Sequence, residues 1–147
     1  MTNMIQSAKD QVAALTQAAY ERAAAAGALP AGAEVRATIE IPKDTAHGDY
    51  ASSFAMAGAK ALHMAPRAIA QAIVDHLELE GSYFGKVEIA GPGFLNFTLG
   101  PKWYKDVLSA IETQGAGYGS GAGGAGKKVM VEFVSANPTG PMHMGNA

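Results

Sequence analysis

The sequence predicts an α+β fold: a small antiparallel sheet packed with about four helices, then a Gly-rich linker and the first strand of a second unit. Three observations predict it. Apolar residues recur at spacings of three and four in four separate segments. Two strand-like runs, at about 85–90 and 94–99, are joined by Gly91-Pro92-Gly93, a hairpin-like signal. Residues 115–126 have the composition of a flexible linker, and the run Val129–Val134 behind them is apolar on both faces except for Glu132.

Each element has its own warrant. Ile5, Ala8, Val12, Leu15 and Ala19 make one apolar stripe, so Met4–Ala26 reads as a helix. Thr2 or Asn3 caps its start, and Gly27 ends it in the left-handed conformation. Residues 34–41 alternate, with Val35, Ala37, Ile39 and Ile41 on one side and Arg36, Thr38 and Glu40 on the other. That is a half-buried strand, stopped by Pro42. The loop 43–50 leads to a second helix at roughly 51–63, with Phe54, Ala55, Gly58 and Leu62 on one face. Pro66 suits the first turn of a third helix, 66–78, striped by Ile69, Ile73 and Leu77. Pro101 opens a fourth, with Trp103, Val107, Leu108 and Ile111 inward.

Bulk properties narrow the function. Apolar residues at 48% against 16% charged support a real core and argue against disorder. Cysteine is absent, which excludes a disulfide framework, a thiolate metal site and a thiol nucleophile. A net charge of −2 leaves no global basic field, so any nucleic-acid contact must be local. Met1 to Tyr20 mixes polar and charged residues and reaches neither signal-peptide nor membrane-span character, so a cytoplasmic protein with no membrane partner is expected.

The most informative stretch is Ser135-Ala136-Asn137-Pro138-Thr139-Gly140-Pro141-Met142-His143-Met144-Gly145-Asn146. A doubly covered strand runs into a Pro/Gly turn and then His-x-Gly-Asn. Gly145 admits a nucleotide close to the backbone, and the His143 imidazole and Asn146 amide can donate to phosphate. A helix beginning there would add its own N–H groups. Donors already in place stabilise charge developing on a phosphoryl group.

With Val131-Glu132-Phe133-Val134 in front of it, this stretch resembles the first signature region of bacterial arginyl-tRNA synthetases, a class I family. Two upstream blocks resemble the family's N-terminal domain: Ile41-Pro42-Lys43-Asp44-Thr45-Ala46-His47-Gly48-Asp49-Tyr50-Ala51 and Ala90-Gly91-Pro92-Gly93-Phe94-Leu95-Asn96-Phe97. The resemblance implies three regions: a tRNA-elbow-binding domain over 1–114, the linker over 115–126, and over 127–147 the truncated start of a Rossmann-like catalytic fold. It implies that Glu132, Ser135 and Asn137 line an arginine pocket and that His143, Gly145 and Asn146 hold ATP phosphates, His143 and Asn146 as the catalytic pair. It implies ATP as substrate with Mg2+ in the full enzyme, and tRNA-Arg, arginine and ATP as partners of a monomeric ligase. The part in hand is expected to be inactive alone and to bind no cofactor tightly, and its tail, 127–147, to be either mobile or docked on an open sheet edge, with self-association where the docking is between chains. There are two departures. Asn146 stands where many members carry a second histidine, and Gly140 where some carry a lysine.

The N-terminal domain carries its own pattern. Leu95, Phe97 and Leu99 share one face of the 94–99 strand, and Phe94, Asn96 and Thr98 share the other. With the first set in the core, Phe94 and Asn96 project together; a ring that stacks beside an amide that reads an edge suits an unstacked base. The resemblance places its tRNA D-loop contact at the same two positions. The competing reading makes Phe94 a second-face core residue under a helix. His47 with Asp49 suggests a metal site or acid–base pair, but no further His/Asp/Glu cluster accompanies them. The reading kept is that they fix the loop, with Asp49 capping the next helix, and no metal ligand is assigned. His63 and His76 read as surface or boundary residues. Two other classes remain: a small nucleotidyltransferase built on His-x-Gly-Asn, and a stand-alone protein-interaction module.

Overall fold

A computed structural model of the chain describes residues 3–132 and 140–141. Helix α1 (Met4–Ala25) starts at Asn3, whose side chain accepts from the backbone of Gln6. Its buried stripe is Ala8, Val12, Thr16, Ala19, Tyr20 and Ala23, and Gly27 follows at φ +75°. The remaining elements are β1 (Ile39–Glu40), a 3-10 turn at Thr45–His47, β2 (Tyr50–Ser52), α2 (Phe54–Leu62), α3 (Pro66–Asp75), β3 (Phe84–Ala90), β4 (Phe94–Leu99) and α4 (Pro101–Gln114). The four strands form one antiparallel sheet in the order β1-β2-β4-β3.

The α1, α2 and α3 helices pack against one another and against the sheet. Their core joins Val12 and Ala19 of α1, Phe54 and Leu62 of α2 and Ile69 and Ile73 of α3 to Leu95 and Phe97 of β4. Both β4 side chains are fully buried. Phe84 sits edge-on to Phe97 at 5.3 Å and to Tyr50 at 5.9 Å, so three strands meet in one aromatic cluster. The hairpin of β3 and β4 and the stripe of α2 lie where the sequence places them.

Three expectations need correction. Residues 50–52 are a strand rather than the first turn of α2, because Tyr50, Ala51 and Ser52 pair with Phe97, Asn96 and Leu95. A central strand with a free edge takes the segment that would otherwise begin the helix. The 34–41 run keeps its alternation of half-buried and exposed residues as far as Glu40, but the ladder holds only Ile39 and Glu40. Past Ser52 the neighbouring chain turns into α2, which leaves 34–38 no strand to pair with. Ile41 is 57% exposed, outside the core. In α4 Leu108 and Ile111 face outward, 62% and 39% exposed, while Trp103 and Val107 are half-buried.

Beyond a 3-10 turn at Gly115–Gly117, residues 118–132 lie in no helix or strand and are exposed. Val129, Met130 and Val131 are 75%, 95% and 63% exposed. The rest of the strand expected through Val134, and Ser135, Asn137, His143, Gly145 and Asn146, lie outside the described residues.

Candidate functional site

Alternation along β4 sends Leu95 and Phe97 into the core and Phe94 and Asn96 to the opposite face. The turn before Phe94 is tightly held. Gly93 has φ +142°, and a Cβ there would stand 3.0 Å from the Pro66 carbonyl, so the turn lies directly against the first residue of α3. The Arg67 guanidinium donates to the Gly91 carbonyl at 2.9 Å. The ring of Phe94 therefore leaves a backbone clamped to a helix.

Asn96 lies mid-sheet, opposite Ala51 on β2 and Glu88 on β3. It is 7% exposed, one of three buried polar residues among the described residues. Its side-chain amide has no hydrogen-bond partner there and fronts a cleft of about 350 Å³. Glu40, Pro42, His47, Ala51 and the turn Ala90–Pro92 complete the lining with Phe94, so strands, a loop and a turn build the cleft and no helix enters it. Phe94 is half-buried at its edge, and no α-helical residue lines the cleft beside the ring. Beside the cleft, Lys86 and Glu88 on β3 are paired at 2.8 Å.

The loop forming the second wall is anchored to β4. Asp49 accepts from the Leu99 backbone at 2.8 Å, and its own N–H donates to the Phe97 carbonyl at 2.9 Å. It fixes the loop as expected, but the N–H it caps belongs to β4; Ser53 stands at the N-cap of α2. The β2 strand intervenes and carries the helix start out of Asp49's reach. Gly48 has φ +80°, and a Cβ there would lie 2.8 Å from the Phe97 carbonyl oxygen. Only glycine lets the loop run so close to the strand. Asp44 accepts from the Ala46 backbone at 2.9 Å and starts the 3-10 turn that ends at His47. No three His, Asp or Glu side chains converge among the described residues.

The structure thus brings Phe94 and Asn96 together and leaves Glu132 exposed and in no helix or strand. Glu40 and His47 join the cleft without having been singled out as site residues. The alternation of 34–41 does put Glu40 on the outward face, but only the strand order reveals that this face is shared with Asn96. His63 is an exposed left-handed C-cap at φ 51°, and half-buried His76 holds the Ala72 carbonyl through Nδ1 at 2.8 Å.

A four-stranded antiparallel sheet, cored by helices on one face and open as a cleft on the other, defines an α+β domain. Residues 6–99 match the family described as arginyl tRNA synthetase N terminal domain, and the chain belongs to that family. Arginine–tRNA ligases of Acetivibrio thermocellus and Caldanaerobacter subterraneus are each 45% identical over 147 residues, covering all of this chain and 26% of those proteins. The arginine–tRNA ligase of Nitrobacter hamburgensis is 49% identical over 121 residues, 82% of this chain and 20% of that protein. The chain spans about a quarter of the length of these relatives. A crystal structure of arginyl-tRNA synthetase from Plasmodium falciparum superposes with a TM-score of 0.48 at 14% identity, over 63% of this chain and 17% of that one.

Proposed function

We propose that the chain is the N-terminal part of an arginine–tRNA ligase and that its cleft holds an unstacked nucleotide of the tRNA-Arg D-loop. One observation carries the reading: a nearly buried amide without a partner stands beside a half-buried ring at the mouth of an open cleft. The amide atoms face the open cleft instead of being sealed in the core, so a ligand there can take up their donors and acceptor. The Phe94 ring supplies a stacking surface, tolerant of base identity. The Asn96 amide supplies one donor edge and one acceptor, which discriminate among bases. Glu40 and His47 flank the same space.

The elbow module occupies residues 1–114 and the connection 115–126 is a flexible linker, its glycines free of any contact a Cβ would make. Residues 127–147 begin the catalytic fold. Within the longer protein, Glu132, Ser135 and Asn137 would hold arginine and His143, Gly145 and Asn146 the ATP phosphates. Mg2+ would accompany ATP there and neutralise phosphate charge. Among the described residues no helix is long and apolar enough to cross a membrane.

Titration of the chain with a fluorescent tRNA-Arg transcript tests this reading. Binding should be weak, should fall with added salt and should vanish when the D-loop is replaced by a short tetraloop. Equal affinity for the two transcripts would remove the assignment.

A further inference from the structure

Helix α4 differs from the other three helices. None of its 14 residues is buried, whereas α1, α2 and α3 each bury several. Its apolar arc is nevertheless wide. Trp103, Val107 and Ala110 form one edge, half-buried against the body of the domain. Tyr104, Leu108 and Ile111 form the other edge, 52%, 62% and 39% exposed. At about 100° per residue the six positions sweep roughly 160°, while Lys105, Ser109 and Glu112 occupy the far side. The domain covers only one edge of a stripe wide enough to face a core.

Beside the open stripe, the Trp103–Val107 edge lines a groove of about 380 Å³ between α4 and the first turn of α1. Trp103 and Val107 line its floor, and Ile5 and Tyr118, 52% and 44% exposed, stand at its sides. The Trp103 indole N–H reaches the Met4 carbonyl at 3.5 Å. Exposed apolar surface gathered in one place marks an interaction site.

The occupant follows from where α4 lies in the chain. The family domain ends at Leu99, and α4 starts at Pro101, so the helix is an appendage of the matched unit. The relatives continue for about three quarters of their length beyond what this chain covers, and their identity runs through α4 into the tail. Exposed Val129, Met130 and Val131 show that apolar surface resumes within a short span of α4.

We propose that the exposed face of α4, Tyr104, Leu108 and Ile111 with Ile5 and Tyr118 at its margin, is the docking surface for the unit that follows residue 126 in the longer protein. This rests on the reading of the chain as an N-terminal part. Docking there fixes the angle at which the Phe94–Asn96 cleft is presented, which a free glycine linker alone would not do.

Hydrogen exchange of α4 in the full-length protein, compared with the 147-residue chain, tests it. The α4 amides should exchange at least about tenfold more slowly in the full-length protein. Leu108→Gln with Ile111→Gln should abolish that difference and enlarge the radius of gyration of the full-length protein. The same pair should leave the melting temperature of the 147-residue chain unchanged. Equal exchange rates in the two proteins would overturn the proposal. So would a dimer of the 147-residue chain that the Gln pair dissolves while full-length exchange stays unaltered, since the occupant would then be a second copy. Unfolding of the short chain by the Gln pair would also overturn it, by making these side chains core. Sequencing beyond codon 147 separates failure of the underlying reading, because a continuation unlike the relatives would appear before any exchange is measured.

Discussion

The two faces of β4 put one strand to opposite uses. Leu95 and Phe97 are fully buried in a dry cluster of aliphatic and aromatic side chains. Phe94 and Asn96, one residue out of phase, front an open cleft with an unpaired amide. The inward face fixes position, and the outward face inherits that precision. A site on a central strand, with neighbours on both edges, moves only if the core moves. The comparison predicts that substitutions on the inward face reach the site through the fold, and those on the outward face reach binding without it.

The largest effect belongs to the inward face. Phe97→Ala deletes a fully buried ring that meets Phe84 at 5.3 Å. Truncations of this kind cost about 3–5 kcal/mol, a large share of the stability of a small domain. Denaturant titration should show an unfolded or barely folded chain, and tRNA binding should disappear with the fold. A variant that stays folded and keeps its affinity would break the link between the faces.

A middle-sized effect tests the coupling between them. Gly48→Ala places a methyl 2.8 Å from the Phe97 carbonyl at a φ of +80°. Strain of this kind costs of order 1–3 kcal/mol and is relieved only if the loop lifts from β4. Lifting it breaks the Asp49 bond to Leu99 and moves His47 away from Asn96. Affinity for tRNA-Arg should fall by more than the loss in melting temperature accounts for. An unchanged affinity would show that the 43–49 wall contributes nothing to binding.

Much of this arrangement was legible in the sequence, for a physical reason. Helical stripes, the Gly-Pro-Gly turn and the two faces of β4 are local periodicities, and local periodicity survives into the fold. What failed was non-local. Tyr50–Ser52 became a strand because β4 offered an unpaired edge, and nothing within residues 50–52 announces that edge. Asp49 found the amide of Leu99, fifty positions away, in place of the nearby helix. Leu108 and Ile111 belong to an apolar arc that the domain leaves exposed, and local periodicity does not tell which part of an arc finds a partner. Phe94 and Asn96 were legible as a pair because they sit two apart on one strand. Glu40 and His47 joined them only through the strand order β1-β2-β4.

The outward face should separate stability from binding. Phe94→Ala removes one stacking surface, worth about 1–3 kcal/mol of affinity, and should lower the melting temperature by little. Asn96→Leu is the sharper variant. It replaces a cleft-facing amide with an apolar side chain of similar size, so stability should change little while discrimination among D-loop bases is lost. Calorimetry paired with tRNA titration reads both. If Phe94→Ala unfolds the chain and the residual folded fraction binds normally, the ring is core and the cleft is not the site.

The smallest effect lies on the inward face of the neighbouring strand, at Tyr50. Burial, and then the charge of Asp49, raise the Tyr50 hydroxyl above the ordinary tyrosine value of 10.0. The folded chain therefore holds that proton at pH values where the unfolded chain has released it. The resulting contribution to stability is complete below about pH 10 and is lost as the pH rises through the higher folded value. Tyr50→Phe removes the titrating group and keeps the ring that meets Phe84 edge-on at 5.9 Å. Melting temperatures measured across the alkaline range should run parallel for the two proteins up to about pH 10 and then diverge, with the parent falling faster. The two proteins share every other side chain, so the difference between the curves isolates Tyr50. Parallel curves throughout would mean that the hydroxyl reaches water and that the core is open at the edge of β2.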